Sequence, residues 1–186
     1  MYSGRAAPAG RSIAKIAREI LLYVAQNTGY GPRFVDRVTV DDETLVVRFK
    51  GWGLDHDNRD HFRGRLDHQL LLNRCGDCGT WHHPPRPICP SCWSSEVVPT
   101  AVSGRGTVFL AIFLHQGPPA DGVDYGTPYP VVTVELVEQA GLRFTGTVVG
   151  AANDEIRIGR AVALDWIDRG GVPVPAFRLR ARTANR

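Results

Sequence analysis

The four cysteines of this chain, Cys75, Cys78, Cys89 and Cys92, stand as two Cys-x-x-Cys pairs with ten residues between the pairs. Two residues inside a pair let one tight turn aim both thiolates at one point. Two such turns supply four thiolates, the closed tetrahedral set of a structural zinc ion. Gly79, just after the first pair, supplies the backbone freedom that turns N–H groups toward sulfur. A full shell of four thiolates leaves no position for water, so this metal is expected to hold structure and not to catalyse. A secreted disulfide scaffold would instead spread its cysteines along the chain.

The knuckles also resemble those of rubredoxin, which makes iron the rival metal. The short loop and an otherwise non-redox chain favour zinc. His82 and His83 lie in that loop and read as solvated residues outside a shell that is already full. Pro84, Pro85 and Pro87 stiffen the loop in an extended form. Trp81 and Trp93 flank the site and are expected to cap the small core of the metal module.

With 186 residues, 43% of them hydrophobic, the chain can bury a real core. The net charge of +3 neither demands nor excludes a polyanionic partner. The positive charge is almost all arginine, since Lys15 and Lys50 are the only lysines. No stretch approaches the roughly 20 apolar residues of a membrane span. Cysteines clustered for metal point to a reducing compartment, so a cytoplasmic location is expected.

The N-terminal segment 1–56 reads as a loose arm, an amphipathic helix and a β-hairpin. Ser12 is a candidate helix cap. After it, Ile13, Ile16, Ala17, Ile20, Leu21 and Val24 recur at helical spacing and form one apolar stripe. Residues 34–40 and 44–49 alternate apolar and polar around Asp41-Asp42-Glu43, the pattern of a hairpin. Segment 57–98 then carries a short helix over 57–68, with Phe62 and Leu66 on one side, and a rubredoxin-like zinc ribbon entered through Leu70-Leu71-Leu72.

From residue 99 to 181 the pattern is strands only. Segments 107–114, 130–136, 143–149, 161–167 and 174–180 are separated by Gly- and Pro-rich turns. Five short strands are too few for a two-sheet sandwich, but they can close a Greek-key barrel of the oligonucleotide/oligosaccharide-binding (OB) type. Gly146, inside the third strand, suits a sharp bend where such a barrel closes. Phe109, Phe113, Phe144, Trp166 and Phe177 fit the inward parity of the strands. The fold class is therefore mainly β with N-terminal helices, a zinc ribbon followed by a five-stranded OB barrel. The basic segment 182–186 reads as a flexible tail.

A specific combination of motifs lies between Asn58 and Arg180, about two thirds of the chain. It includes Leu70-Leu71-Leu72-Asn73-Arg74-Cys75-Gly76-Asp77-Cys78-Gly79, His83-Pro84-Pro85-Arg86, Cys89-Pro90-Ser91-Cys92, Ser103-Gly104-Arg105-Gly106-Thr107-Val108, Tyr129-Pro130-Val131 and Gly159-Arg160-Ala161-Val162. This combination resembles a family of zinc-ribbon/OB-fold proteins that accompany acyl-CoA enzymes, long catalogued as a domain of unknown function. The first 55 residues depart from the short lead-in of that family.

The resemblance implies a non-catalytic accessory subunit. Its partner would be a thiolase or a thiolase-like aldolase, as in steroid side-chain breakdown, and that partner would carry the catalytic residues. Because such partners are two-fold symmetric, two of these chains on a dimer are expected, a heterotetramer of two plus two. The chain would help bind or channel the acyl-CoA thioester, with Arg86 and Arg105 as candidate contacts to CoA phosphates. Candidate partner contacts are Ile13, Ile16, Ile20 and Val24 on the helix stripe, with Trp52, Leu54 and Phe62 near the ribbon. Extra apolar surface beyond what a small barrel can bury is the argument for an interface.

The sequence shows no nucleophile elbow, glycine-rich phosphate loop or second metal motif, while a catalytic set assembled from distant residues would leave no local mark. Gly104-Arg105-Gly106 is too short for a dinucleotide loop. Asp55, His56 and Asp57 have no Ser or Cys near them in sequence. The alternative reading is a nucleic-acid-binding module, because ribbons and OB barrels both serve there. Against it stand sparse strand aromatics and the lack of a clustered basic stripe.

Overall fold

The structure, a computed structural model, describes residues 42–181. Among the described residues, eight strands make two sheets. β1 (Leu71–Cys75), β2 (Trp81–His82) and β3 (Val97–Ala101) form a three-stranded sheet in the order β2-β1-β3. β4 (Arg105–Leu114), β5 (Tyr129–Leu136), β6 (Arg143–Val148), β7 (Ala161–Arg169) and β8 (Val172–Leu179) close a barrel in the order β4-β5-β6-β8-β7. All five expected barrel strands are present, and the zinc-ribbon/OB fold class stands.

Barrel closure turns on Gly146. Up to this residue β6 pairs antiparallel with β5, ending at Val132↔Gly146. From Thr147 it pairs parallel with β8, through Thr147↔Ala176 and Val148↔Phe177. A side chain at Gly146 would lie 3.2 Å from the Phe177 ring and 3.3 Å from the Pro175 carbonyl oxygen. The missing side chain thus lets two strands approach where the sheet changes partner.

The interior is filled by Val108, Val132, Val134, Leu136, Phe144, Val162 and Phe177, and the ribbon shares it through Leu70, Leu72 and Val102. Trp81 packs against the same core. The Gln139 side chain, in the β5–β6 turn, bonds the ribbon strand β2 twice. It accepts from the Trp81 N–H at 2.9 Å and donates to the Trp81 carbonyl at 3.0 Å.

A second small core lies under the helices. Leu45, Phe49, Phe62 and Val172 are buried together, with Leu54 and Leu66 against them. The helix expected over 57–68 is α2, Arg59–Leu66. Asp55 and Asn58 build its entry. The Asp55 carboxylate accepts the N–H groups of Asp57 and Asn58, both at 2.9 Å, and Asn58 Oδ1 accepts the Asp55 N–H at 2.9 Å. His56 pairs with its neighbour Asp57 at 3.2 Å. The acidic cluster therefore shapes a turn.

Several expectations are corrected here. The second hairpin strand, 44–49, is instead helical over 44–48, within α1 (Asp42–Arg48), with Phe49 in the turn that follows. Leu45 and Phe49, four apart, are buried while Val47 is 75% exposed. Strand parity would have placed all three on one face. Burial at helical spacing overrode the β preference of the paired valines. Phe109 is 45% exposed and does not follow the inward parity. The β4–β5 register shifts between Val108 and Leu110, and the bulge turns Phe109 outward beside Leu110. The first expected hairpin strand, 34–40, the N-terminal stripe and the tail lie outside the described residues. No helix among the described residues is long and apolar enough to cross a membrane.

Candidate metal centre

The four cysteine sulfurs lie within 4.8 Å of one another. Sγ of Cys75 is 3.6 Å from Sγ of Cys92, and Sγ of Cys78 is 3.6 Å from Sγ of Cys89. A tetrahedral zinc with bonds of about 2.3 Å sets its sulfurs about 3.8 Å apart, so the cluster has the right size. It is far too open for disulfides, whose sulfurs bond at about 2.05 Å.

The two knuckles repeat one backbone design. Gly79 N–H donates to the Cys75 carbonyl, and Trp93 N–H donates to the Cys89 carbonyl, both at 3.0 Å. Cys75 N–H reaches the Thr80 carbonyl and Cys89 N–H the Ser94 carbonyl, both at 2.9 Å. Backbone N–H groups also face sulfur, with Cys78 on Cys75 Sγ at 3.5 Å and Ser91 on Cys89 Sγ at 3.4 Å. Gly79 takes φ 74° and Trp93 takes φ 62° at equivalent places. The second knuckle thus holds a tryptophan where glycine is the easy choice.

Thiol chemistry follows this arrangement. The Thr80 hydroxyl and backbone pull the Cys78 thiol down to about 6. The Ser94 backbone bond favours the Cys92 thiolate, yet the Cys78 sulfur and desolvation push that thiol up to about 12. Four sulfurs this close resist ionising side by side, and a divalent cation among them resolves the conflict.

Neighbouring residues fall differently from the sequence reading. Trp93 is 80% exposed, so it caps no core, whereas Trp81 is packed on the barrel. His82 is buried in β2 and His83 is partly buried, so neither is a solvated loop residue. Neither belongs to the sulfur cluster. The His83 ring lies 5.2 Å from Phe144 and 5.9 Å from His61, and burial together with the His61 charge lowers His83 to about 4. Burial also lowers His61, whose Nδ1 sits 2.9 Å from the Leu71 carbonyl. The His83–Pro84 bond is cis.

Arg86 and Arg105 are both exposed. The Arg86 carbonyl accepts from Asn73 Nδ2 at 3.0 Å, and the Arg105 N–H donates to Ser103 Oγ at 3.3 Å. Phe62 is buried, which takes it off the surface expected for a partner. Trp52 is 39% exposed and Leu54 packs on the helical core. Ile13, Ile16, Ile20 and Val24 lie outside the described residues.

Sequence reasoning missed two features. The first is the outer strip Phe109, Leu110 and Ile112, all exposed on β4. The second is Arg65, 3% exposed, its guanidinium beside three aromatic rings. A bulge leaves no periodic mark, and the box joins two separate short segments, Phe49–Trp52 and Phe62–Arg65. An open cavity of about 390 Å3 lies near the start of β5, lined by Asp124, Tyr129, Val148 and Asn153 among others.

Family models agree with the geometry. The ChsH2 rubredoxin-like zinc ribbon model matches residues 62–98. The ChsH2 C-terminal OB-fold model matches residues 99–166. A chain of the solved Ltp2-ChsH2(DUF35) aldolase superposes with TM-score 0.61 at 36% identity, covering 68% of this chain and 97% of that one. A protein of Thermomonospora curvata named probable enoyl-CoA hydratase alpha subunit is 37% identical over 127 residues, covering 67% of this chain and 38% of the relative. A DUF35 domain-containing scaffold protein of Methanocaldococcus jannaschii is 34% identical over 94 residues, covering 50% of this chain and 64% of the relative. The 3-oxo-4,17-pregnadiene-20-carboxyl-CoA hydratase alpha subunit of Mycobacterium tuberculosis is 36% identical over 104 residues, covering 54% and 30%. The chain thus spans less than two thirds of each of these curated relatives. A four-thiolate knuckle pair, a ribbon sheet sharing its core with a closed five-stranded barrel, and both family models together place this chain in the ChsH2-type (DUF35) zinc-ribbon/OB-fold family.

Proposed function

We propose that the chain is a non-catalytic, zinc-binding accessory subunit that binds and supports a thiolase-like acyl-CoA enzyme. The observation that carries this reading is the match to one chain of the Ltp2-ChsH2(DUF35) aldolase over 97% of that chain's length. The name of the archaeal relative, a scaffold protein, points the same way. The hydratase names belong to relatives of which the chain covers only 38% and 30%, so most of those proteins lies beyond the match. The relative named for a pregnadiene carboxyl-CoA supports a steroid acyl-CoA as the substrate class of the assembly.

In this reading zinc fills the Cys75, Cys78, Cys89 and Cys92 site, and two chains join a dimeric partner. Arg86 and Arg105 are exposed cations available to CoA phosphates. Ile13, Ile16, Ile20 and Val24 and, separately, the exposed part of Trp52 are the candidate partner contacts. Nucleic acid is the weaker occupant of the barrel. The Arg143 guanidinium already covers the Phe109 ring at 3.4 Å, which removes that ring as a platform for a base.

Co-expression with a thiolase-like aldolase tests the assignment. A stable complex of both chains, with retro-aldol turnover of a steroid acyl-CoA only when both are present, is the expected result. Turnover by this chain alone, free of any partner, overturns it. Charged substitutions at Ile16 and Ile20 are expected to weaken the complex and leave zinc content unchanged.

A further inference from the structure

Arg65 stands on α2 with its side chain directed toward the β7–β8 turn. Its Nε donates to the Pro173 carbonyl at 3.1 Å. The guanidinium carbon lies 4.4 Å from the Trp52 ring centre, 4.9 Å from Phe62 and 5.1 Å from Phe49. The rings offset part of the cost of burying the charge. They accept no directed hydrogen bond of ordinary strength, and Arg65 Nη2 is buried without a hydrogen-bond partner.

Arg169, at the end of β7, pairs across the turn with Val172, whose side chain is buried with Phe49 and Phe62 of the box. Arg169 Nη2 bonds the Tyr129 hydroxyl, and its Nε is buried without a partner. Burial and the nearby Arg169 charge pull Arg65 down to about 10, so its guanidinium remains cationic at neutral pH. Arg48 adds a third guanidinium at this turn, donating to the Gly171 carbonyl at 2.9 Å. Carboxylates also stand near this turn, and Asp121 Oδ2 lies 2.8 Å from where a side chain at Gly170 would start. Asp168 accepts the Gly171 N–H at 3.0 Å, and Asp165 pairs with Arg178 at 2.6 Å.

We propose that Arg65 and Arg169 form a binding site for an oxyanion of the phosphate type. Two adjacent guanidinium forks, each with an unused buried N–H, suit an anion that presents several oxygens at once. Leaving such donors unpaired is costly, and so is the repulsion between the cations. A phosphate oxygen set answers both. Trp52, the most exposed wall of the box, governs entry. It sits between Gly51 at φ 85° and Gly53 at φ 59°, both with open space around them. The site is independent of the assembly reading and of the CoA contacts assigned to Arg86 and Arg105.

The test is thermal unfolding of the full, zinc-loaded chain in sodium phosphate against sodium chloride of equal ionic strength. Phosphate is expected to raise Tm by about 3 °C at ten times its Kd. Arg169→Gln, a change at a partly exposed residue, is expected to keep zinc and the circular dichroism of the parent while losing the phosphate shift. Adenosine 3′,5′-bisphosphate identifies the source. If it produces the shift at lower concentration than inorganic phosphate, the site takes a nucleotide phosphate. If inorganic phosphate acts alone, the site takes the free ion. Equal Tm in phosphate and chloride, or an undiminished shift in Arg169→Gln, overturns the proposal.

Discussion

The Gln139 side chain holds the backbone of Trp81 by two hydrogen bonds, at 2.9 and 3.0 Å, across 58 residues of chain. An amide in the β5–β6 turn thereby stands in for the strand that β2 lacks on its outer side. Gln139→Ala leaves a partly buried N–H and C=O without those bonds. The expected loss is about 1–3 kcal/mol of unfolding free energy, with zinc retained. Urea unfolding of parent and variant, alongside metal analysis, checks it.

Zinc ligation is expected to be part of folding, because a sheet of two-, five- and five-residue strands buries too little to hold the ribbon by itself. Elemental analysis of freshly reduced protein is expected to find one zinc per chain. Cys75→Ser or Cys92→Ser should yield insoluble or loosened protein. Retention of a folded, metal-free ribbon in either variant counts against this.

Acid is expected to weaken the chain through His83. Its folded-state value is depressed to about 4, below the ordinary 6.5, because burial disfavours the charged ring. The unfolded state therefore binds the proton first as pH falls below 6.5. Stability is complete above that pH and is lost as pH drops toward 4. For one such histidine the loss between pH 7 and 5 is about 2 kcal/mol. His83→Phe should flatten the pH dependence of the urea midpoint over that window. Equal slopes in parent and variant would show that His83 is not the titrating group.

Gly146→Val should cost about 1–3 kcal/mol, since the new side chain must displace the Phe177 ring or the Pro175 carbonyl at the point of barrel closure. Thermal unfolding measures the loss. Gly141→Ala is the comparison for space, because nothing lies within 4 Å of its absent side chain, although its φ of 80° adds strain of its own. A crystal structure of the Gly146 variant is expected to show the displacement at Phe177.

The paired knuckles and the five barrel strands were legible in the sequence for a local reason. Cys-x-x-Cys is a turn of fixed length, and strands flanked by glycine and proline announce their own ends. Segment 44–49 misled because Leu45, Val47 and Phe49 alternate like a strand, while only Leu45 and Phe49 found a core, with Phe62 and Val172. Those two partners lie more than ten and more than a hundred residues away, beyond any local pattern.

By itself the sequence marked the four-cysteine cluster and the order of ribbon and barrel, and its motifs carried the resemblance to the family. The cluster and the order are set by short spacings that backbone geometry alone constrains. Tertiary structure decided which way Phe109 faces, because a one-residue bulge inverts parity without altering composition. It also decided that His83 packs, partly buried, against Phe144, and that Arg65 beside Trp52 and Arg169 beside Tyr129 both stand at the β7–β8 turn. The placing of Arg65 and Arg169 depends on β8 returning past α2 as the barrel closes, and only the closed barrel brings residues so distant in the chain into one place.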